Sequence, residues 1–275
     1  MDIRCIVLDM DMTTLGTDKK ISEANREALE YVIGKGIHVA IASGRPFSTL
    51  PQDVVSIPGI EYAITSNGAA IYHIPSGSRM VHYTLEPQAV EKIVEVLKDQ
   101  PYACEAFLDG KGYSPADFIA DPTQFGAPAY TAKYLRRTRT PVTDINAFML
   151  DHKHQLDSIS IITDSDSIAN HLYPLLRKEL PDCYITCSAD HLVEIVHRDC
   201  GKEAAIRFLA DHLQLRADQI AAFGDGDNDA GMLSWAGHGI AVANASPACL
   251  AAADHVSLHF SQNAVAHGIY QILHL

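Results

Sequence analysis

The chain has 275 residues, 47% hydrophobic and 20% charged, with a formal net charge of −13 at pH 7. That balance repels a nucleic-acid backbone, and no apolar run reaches the roughly 18 residues that cross a bilayer, so neither nucleic acid nor membrane is an expected partner. The length suits one large domain or two moderate ones, and the fraction of apolar residues excludes a disordered chain.

The first predicted element is the apolar run "RCIVLDM", a strand covered on both faces, as in a parallel sheet. Ser22 can cap a helix with Leu29, Val32 and Ile33 on one face, ended by "GKG" at Gly34 to Gly36. "IHVAIAS" (Ile37 to Ser43) reads as a second buried strand. "YAITSNGAAIYH" continues extended about a turn at Asn67-Gly68, with a hairpin tip at Ile74 to Ser78. "LEPQAVEKIVEVLKD" is a helix ending at Asp99, and "ACEAFLDGKGYS" is two extended pieces about Asp109 to Gly112. A Pro-rich, poorly periodic stretch runs from Ser114 to about Asp151. "SISIITD", the helix "DSIANHLYPLLRKEL", which Pro174 should kink or divide, and "CYITCSA" follow. "HLVEIV" then resumes a strand and helix alternation through "GKEAAIRFLADHL", "IAAFGD", "NDAGMLSWA" and "HGIAVA" to a closing helix near "NAVAHGIYQIL". The expected fold is α/β: a Rossmann-like, doubly wound parallel-sheet core with an inserted α+β domain. The expected boundaries are 1–82 and 189–275 for the core and 83–188 for the insertion.

Chemistry concentrates at strand ends. Asp9 and Asp11 flank Met10, so both acids share one side of a strand terminus and stay ionised together only beside a positive group. "AIASGR" ends the second strand with a hydroxyl at Ser43 and a bare backbone amide at Gly44, both suited to an oxyanion. "CGKEAAI" sets Lys202 at a helix start, where the dipole and an ammonium favour an anion. "AFGDGDNDAGML" offers Asp225, Asp227, Asn228 and Asp229, oxygen donors appropriate to Mg²⁺. The topology would gather all four stretches at one edge of the sheet.

With "DMDMTTL", "ASGR", Lys202 and "GDGDND" in this order and spacing, the chain resembles the haloacid dehalogenase-like phosphohydrolases. Its insertion between the second and third motifs resembles the type-IIB cap of the Cof-like subfamily, and "SNGAAI" and "EIVHRDCGKEAAI" are similar to Cof-like patterns. The resemblance implies a Mg²⁺-dependent phosphatase of a small phosphorylated metabolite, sugar phosphates first, with nucleotide-type and cofactor phosphates next. Asp9 would be the nucleophile, forming an aspartyl-phosphate, and Asp11 the general acid and base. Met10, Ser43, Gly44, Lys202 and Asn228 would hold the phosphoryl group. Asp9, the Met10 carbonyl and Asp225 would bind the metal with Asp229 in support, and the Asp11 carboxylate would not be a ligand. Relatives commonly carry Gly at the position of Met12 and an apolar residue at that of Thr14, so the loop here is bulkier. A phosphotransferase or phosphomutase sharing the aspartyl-phosphate is the enzymatic alternative, and a non-catalytic phosphometabolite sensor the other.

Other features read as ordinary. His152, His154, His255, His259 and His267 lack an acidic partner motif at zinc spacing, and "CGK" is followed by Glu203, which excludes a nucleotide-binding loop. "KYLRRTR" (Lys133 to Arg139) reads as a solvated charged face. The cysteines Cys5, Cys104, Cys183, Cys187, Cys200 and Cys249 form no CxxC pair, and several sit inside apolar strand-like runs, as buried free thiols do. With no export-like opening in "MDIRCIVLD", a cytoplasmic monomer or homodimer is expected.

Overall fold

A computed structural model describes residues 1–98 and 100–275, so the expected helix end at Asp99 lies outside the described residues. The chain forms two compact units: Met1–Arg45, Leu50–Val81 and Gly201–Leu275 make one, Pro46–Thr49 and His82–Cys200 the other. In chain order the strands are β1 (Cys5–Asp9), β2 (His38–Ala42), β3 (Ile60–Thr65), β4 (Ala70–His73), β5 (Ser78–His82), β6 (Ala103–Leu108), β7 (Lys111–Pro115), β8 (Arg139–Val142), β9 (Leu156–Ile162), β10 (Cys183–Ala189), β11 (Leu192–His197), β12 (Ile220–Gly224), β13 (His238–Ala241) and β14 (His255–Val256).

The first unit holds an eight-stranded sheet in the order β14-β13-β12-β1-β2-β3-β4-β5. Its strands are parallel from β14 to β3, and β4 turns back antiparallel to β3. Every residue of β1, CIVLD, is buried, which explains its unbroken apolar run: both faces of a central parallel strand are covered. From β1 the chain proceeds outward through β2 and β3 on one side, and through β12, β13 and β14 on the other. The order therefore reverses between β1 and β12, and the carboxyl ends of these strands flank the crevice where open α/β sheets bind ligands.

Helices fix the loops at that edge. Ser22 Oγ accepts the Asn25 N–H (3.2 Å) to start helix Glu23–Gly34, which buries Ala28, Leu29 and Val32. The buried Asn25 side chain then donates to the Thr14 carbonyl (3.3 Å) and accepts the Ala266 N–H (3.0 Å), tying the loop after β1 to two helices. Helix Lys202–Leu213 packs Ile206 and Leu209 onto Val7, Ala40 and Ala222.

The second unit is a six-stranded sheet, β10-β11-β9-β6-β7-β8, antiparallel except for the β7–β8 pair. Helix Pro87–Leu97 and the segment from Ile168 to Glu179 bury Val90, Ile93, Leu172 and Leu176 with Cys104, Ala106, Ile159, Ile161, Val193 and Ile195. Pro174 sits at the start of helix Tyr173–Glu179, behind one wide π-helical turn at Ile168–Leu172, so the expected division is real. The aperiodic stretch resolves into short helices, Ala116–Ala120, Thr131–Thr138 and Ile145–Asp151, around β8.

Two expectations are corrected here. "HLVEIV" is β11, and it pairs with β9 and β10 rather than with the parallel sheet, because Val193 and Ile195 complete the apolar face built by Ile159 and Ile161. The expected boundary at 188 accordingly falls inside β10, and the second unit runs to Cys200. "KYLRRTR" is not wholly a solvated face: the Arg139 side chain is only 6% exposed and forks onto Glu105 (Nε to Oε1, 2.6 Å; Nη2 to Oε2, 3.1 Å). Ser114 also donates to Glu105, and the guanidinium lies over the Phe107 and Tyr134 rings, so one buried ion pair knits β6, β7 and β8 together.

Candidate functional site

Asp9 ends β1, and in the parallel register it stands beside Ala42, so Ser43 follows on the neighbouring strand. Leu8 pairs with Phe223 across the other ladder, which delivers the loop after Gly224 to the same edge. Lys202 crosses from its helix start, fully buried, and its Nζ donates to Asp9 Oδ1 and Asp229 Oδ1, both at 2.6 Å. Asp229 Oδ2 accepts the amides of Asp225 and Gly226, each at 3.0 Å, and so closes the acidic loop on itself. Gly224 permits that closure, since a Cβ there would lie 2.5 Å from the Asp229 Cβ. One oxygen from each of Asp9, Asp225 and Asp229 lies within 4.8 Å of the others.

The electrostatics are those of a site with surplus negative charge. Three carboxylates face one ammonium. Burial, with the charges of Asp229 and Asp225, raises Asp9 well above the usual carboxylate range even though Lys202 pulls it down. Burial and Asp229 push Asp225 up to about 6, against the hydroxyl of Thr13, which donates to its Oδ1 at 2.6 Å. Burial alone would favour a neutral Lys202, but Asp229 and Asp9 override it and hold the ammonium protonated. A hard divalent cation among these oxygens would relieve the crowding, so the donor set fits Mg²⁺.

Asp11 is placed otherwise. Its carboxylate, about one-third exposed, accepts Arg45 Nε (2.6 Å), Arg45 Nη2 (2.7 Å) and Lys19 Nζ (2.9 Å). Against the burial that would raise it, Arg45 and then Lys19 hold this carboxyl well below the usual range. Neither cation is among the site residues that the sequence predicts, although Arg45 stands in "ASGR". A pairing between Asp11 and a residue 34 positions on leaves no periodicity to find.

For Met10 the correction concerns the metal alone: its carbonyl accepts the amides of Thr14 (3.1 Å) and Leu15 (2.9 Å), which leaves no lone pair for an ion. Asp227 also stands apart, accepting Ser246 Oγ at 2.6 Å on the surface. Thr14 explains itself: it is buried, and its hydroxyl donates to the Asp9 carbonyl at 2.6 Å, which steadies the strand end. Ser43 is buried and its Oγ accepts the Arg45 N–H (3.1 Å), while the Gly44 amide finds no acceptor among the described residues. The buried Asn228 side-chain amide donates to Asn67 Oδ1 at 2.9 Å.

Met12 is exposed and takes a left-handed φ of 63°, a conformation that glycine adopts freely and a methionine does not. Left-handed backbone costs a side-chain-bearing residue about 1–2 kcal/mol, and glycine costs about 0.5–1 kcal/mol in unfolded-state entropy. Met12→Gly is therefore expected to stabilise the protein slightly, by about 0.5–1 kcal/mol, read as a raised urea midpoint with unchanged slope.

The chain matches the family model of haloacid dehalogenase-like hydrolases over residues 6–269 and belongs to that family, within its Cof-like branch. It is 31% identical over 261 residues to the HMP-PP phosphatase of Cronobacter sakazakii, covering 94% of this chain and 92% of that protein. It is 27% identical to phosphatase YwpJ of Bacillus subtilis, covering 98% and 100%. A solved subclass IIB sugar phosphatase superposes with a TM-score of 0.84 at 18% identity, covering 99% of this chain and 100% of that one, a likeness of fold. The protein is a phosphatase, a phosphoric monoester hydrolase. Among the described residues no helix is long and apolar enough to cross a membrane.

Proposed function

We infer that the protein hydrolyses a small phosphorylated metabolite, sugar phosphates being the first class to try, by a Mg²⁺-dependent double displacement on Asp9. The single observation that carries this reading is the convergence of Asp9, Lys202, Asp225 and Asp229 at the reversal of strand order between β1 and β12. The relative named as an HMP-PP phosphatase supports a small phosphorylated substrate. Cys5, Cys104, Cys200 and Cys249 are buried thiols, a usage that suits the reducing cytosol.

In the first step an Asp9 carboxylate oxygen bonds to phosphorus and the phosphorus–oxygen bond to the leaving group breaks. Asp11 gives that alkoxide its proton. In the second step Asp11 takes a proton from water, the water oxygen bonds to phosphorus, and Asp9 is released with inorganic phosphate. The described geometry, with Asp11 bound to Arg45 and Lys19, suits the carboxylate form that the second step needs. The first step requires Asp11 to leave those partners and carry a proton. Lys202, the Ser43 hydroxyl and the Gly44 amide would hold phosphoryl oxygens, with little covalent work left for them beyond placement. Mg²⁺ would be held by Asp9 and Asp225, with Asp229 in support through the loop it closes. The Asp11 carbonyl, which accepts no bond among the described residues, is the loop's remaining donor in place of the Met10 carbonyl. When bound, the ion neutralises charge on the phosphoryl group as it transfers.

Two measurements test the reading. Purified protein with Mg²⁺ and a panel of phosphorylated metabolites should release inorganic phosphate; transfer to an acceptor without release, or binding without turnover, would overturn it in favour of a mutase or a sensor. Without substrate, Mg²⁺ should raise the melting temperature by mass action, by about 2.7 kcal/mol of stability at a hundred times its Kd. Asp225→Asn should abolish that rise, and a full rise in the variant would remove Asp225 from the metal set.

A further inference from the structure

Between β3 and β4 the backbone takes three consecutive left-handed residues, Ser66 (φ 47°), Asn67 (φ 52°) and Gly68 (φ 91°). All three are buried. Such strain at non-glycine positions persists only where the surroundings over-determine it. A connection between two antiparallel strands does not by itself demand this much, since ordinary two-residue turns achieve it at the surface.

What surrounds the segment is the loops of the site. The Ser66 N–H donates to the Arg45 carbonyl (3.0 Å) and the Asn67 N–H to the Ser43 carbonyl (3.1 Å). The Gly201 N–H, one residue before Lys202, donates to the Asn67 carbonyl (2.8 Å). Gly68 lies so close to that loop that a Cβ would stand 2.6 Å from the Gly201 oxygen. On its side chain, Asn67 accepts the Asn228 amide N–H at 2.9 Å. One residue thus bonds to the loops that carry Ser43, Lys202 and Asn228, and the last of these also carries Asp225 and Asp229.

We propose that Asn67 is a positioning residue for phosphoryl transfer, resting on the function inferred above. Its main chain sets the spacing of the Ser43 and Lys202 loops, and its side-chain oxygen holds Asn228 and with it the acidic loop. Asn67 touches no reacting atom. Its contribution is to keep groups from three loops in one geometry, and small misplacements of such groups are costly in rate.

Two variants separate the parts. Asn67→Gly tolerates the left-handed backbone and keeps every main-chain bond but deletes the acceptor, whereas Asn67→Asp keeps an acceptor oxygen. In Asn67→Gly, kcat for phosphate release is expected to fall about 10- to 100-fold with the fold retained, as happens when contacts that orient reacting groups are lost, while Asn67→Asp recovers most of the rate. A kcat for Asn67→Gly within about twofold of the parent, or an Asn67→Asp as slow as Asn67→Gly, would overturn the proposal. Should Asn67→Gly fail to fold, Asn67→Asp decides alone: a rate within about threefold of the parent supports the proposal and a loss beyond about tenfold overturns it. Failure of the underlying reading looks different, since then the parent releases no phosphate, or Asp9→Asn works as well as the parent.

Discussion

Asp9→Asn is expected to abolish phosphate release, by about 10⁴-fold or more, without loss of folded protein. An amide has no carboxylate oxygen with which to attack phosphorus, and removing a nucleophile from a cooperating set costs on this scale. The stability side follows from the charges. Asp9 is buried with Asp229 and stands beside the half-buried Asp225, and its raised pKa means that the ionised form is disfavoured in the folded state. Replacing it by a neutral isostere removes that penalty, while Lys202 keeps Asp229 as a partner at 2.6 Å. Without Mg²⁺ the variant should melt at or above the parent temperature; with Mg²⁺ the parent should gain more than the variant. Turnover by the variant within about tenfold of the parent, measured as released phosphate, would take the nucleophile away from Asp9.

The parts of this site that were legible in the sequence are those set by local chemistry. An apolar run closed by a polar residue marks the end of a covered strand: Asp9 is the last residue of β1, Ser43 follows β2 and Asp225 follows β12. The order of the sheet then does the gathering. What escaped depends on partners chosen in three dimensions. Asp11 faces Arg45 and Lys19, and neither spacing has a period. The family resemblance implies the Met10 carbonyl as a metal ligand, but the loop turns back and spends that carbonyl on Thr14 and Leu15.

Strand pairing was the larger blind spot. β11 is buried from Val193 to Val196, and nothing in "HLVEIV" says whether its neighbour is a parallel or an antiparallel strand. The choice is made by register: Val193 and Ile195 meet Ile161 and Ile159, while Glu194 falls opposite Ser160 on the other face. The buried Glu105–Arg139 pair hid for a related reason. Arginine in a basic run has the same local signature whether it ends in water or under a sheet.

Replacing Lys202 by methionine, of similar length and without charge, tests the electrostatics of the site most severely. The ammonium is buried and donates to two buried carboxylates, Asp9 and Asp229, at 2.6 Å each. Deleting one partner of a buried pair leaves uncompensated charge and costs about 3–5 kcal/mol. Protonation limits the cost: with Lys202 gone, the folded-state pKa of Asp9, already raised, climbs further above its unfolded value. The neutral acid then adds relative stability below the ordinary carboxylate range, and this is lost as pH climbs through the raised value. The destabilisation should thus be largest in alkaline buffer and shrink on mild acidification, and saturating Mg²⁺ should recover part of it by supplying the missing positive charge. Activity should not recover, because a phosphoryl ligand is gone, and kcat is expected to fall by about 10²–10³-fold at least. Urea midpoints at several pH values, with and without Mg²⁺, give the stability readout. A destabilisation independent of both pH and Mg²⁺ would mean that Lys202 acts by packing alone, and the charge balance argued for Asp9, Asp225 and Asp229 would fall with it.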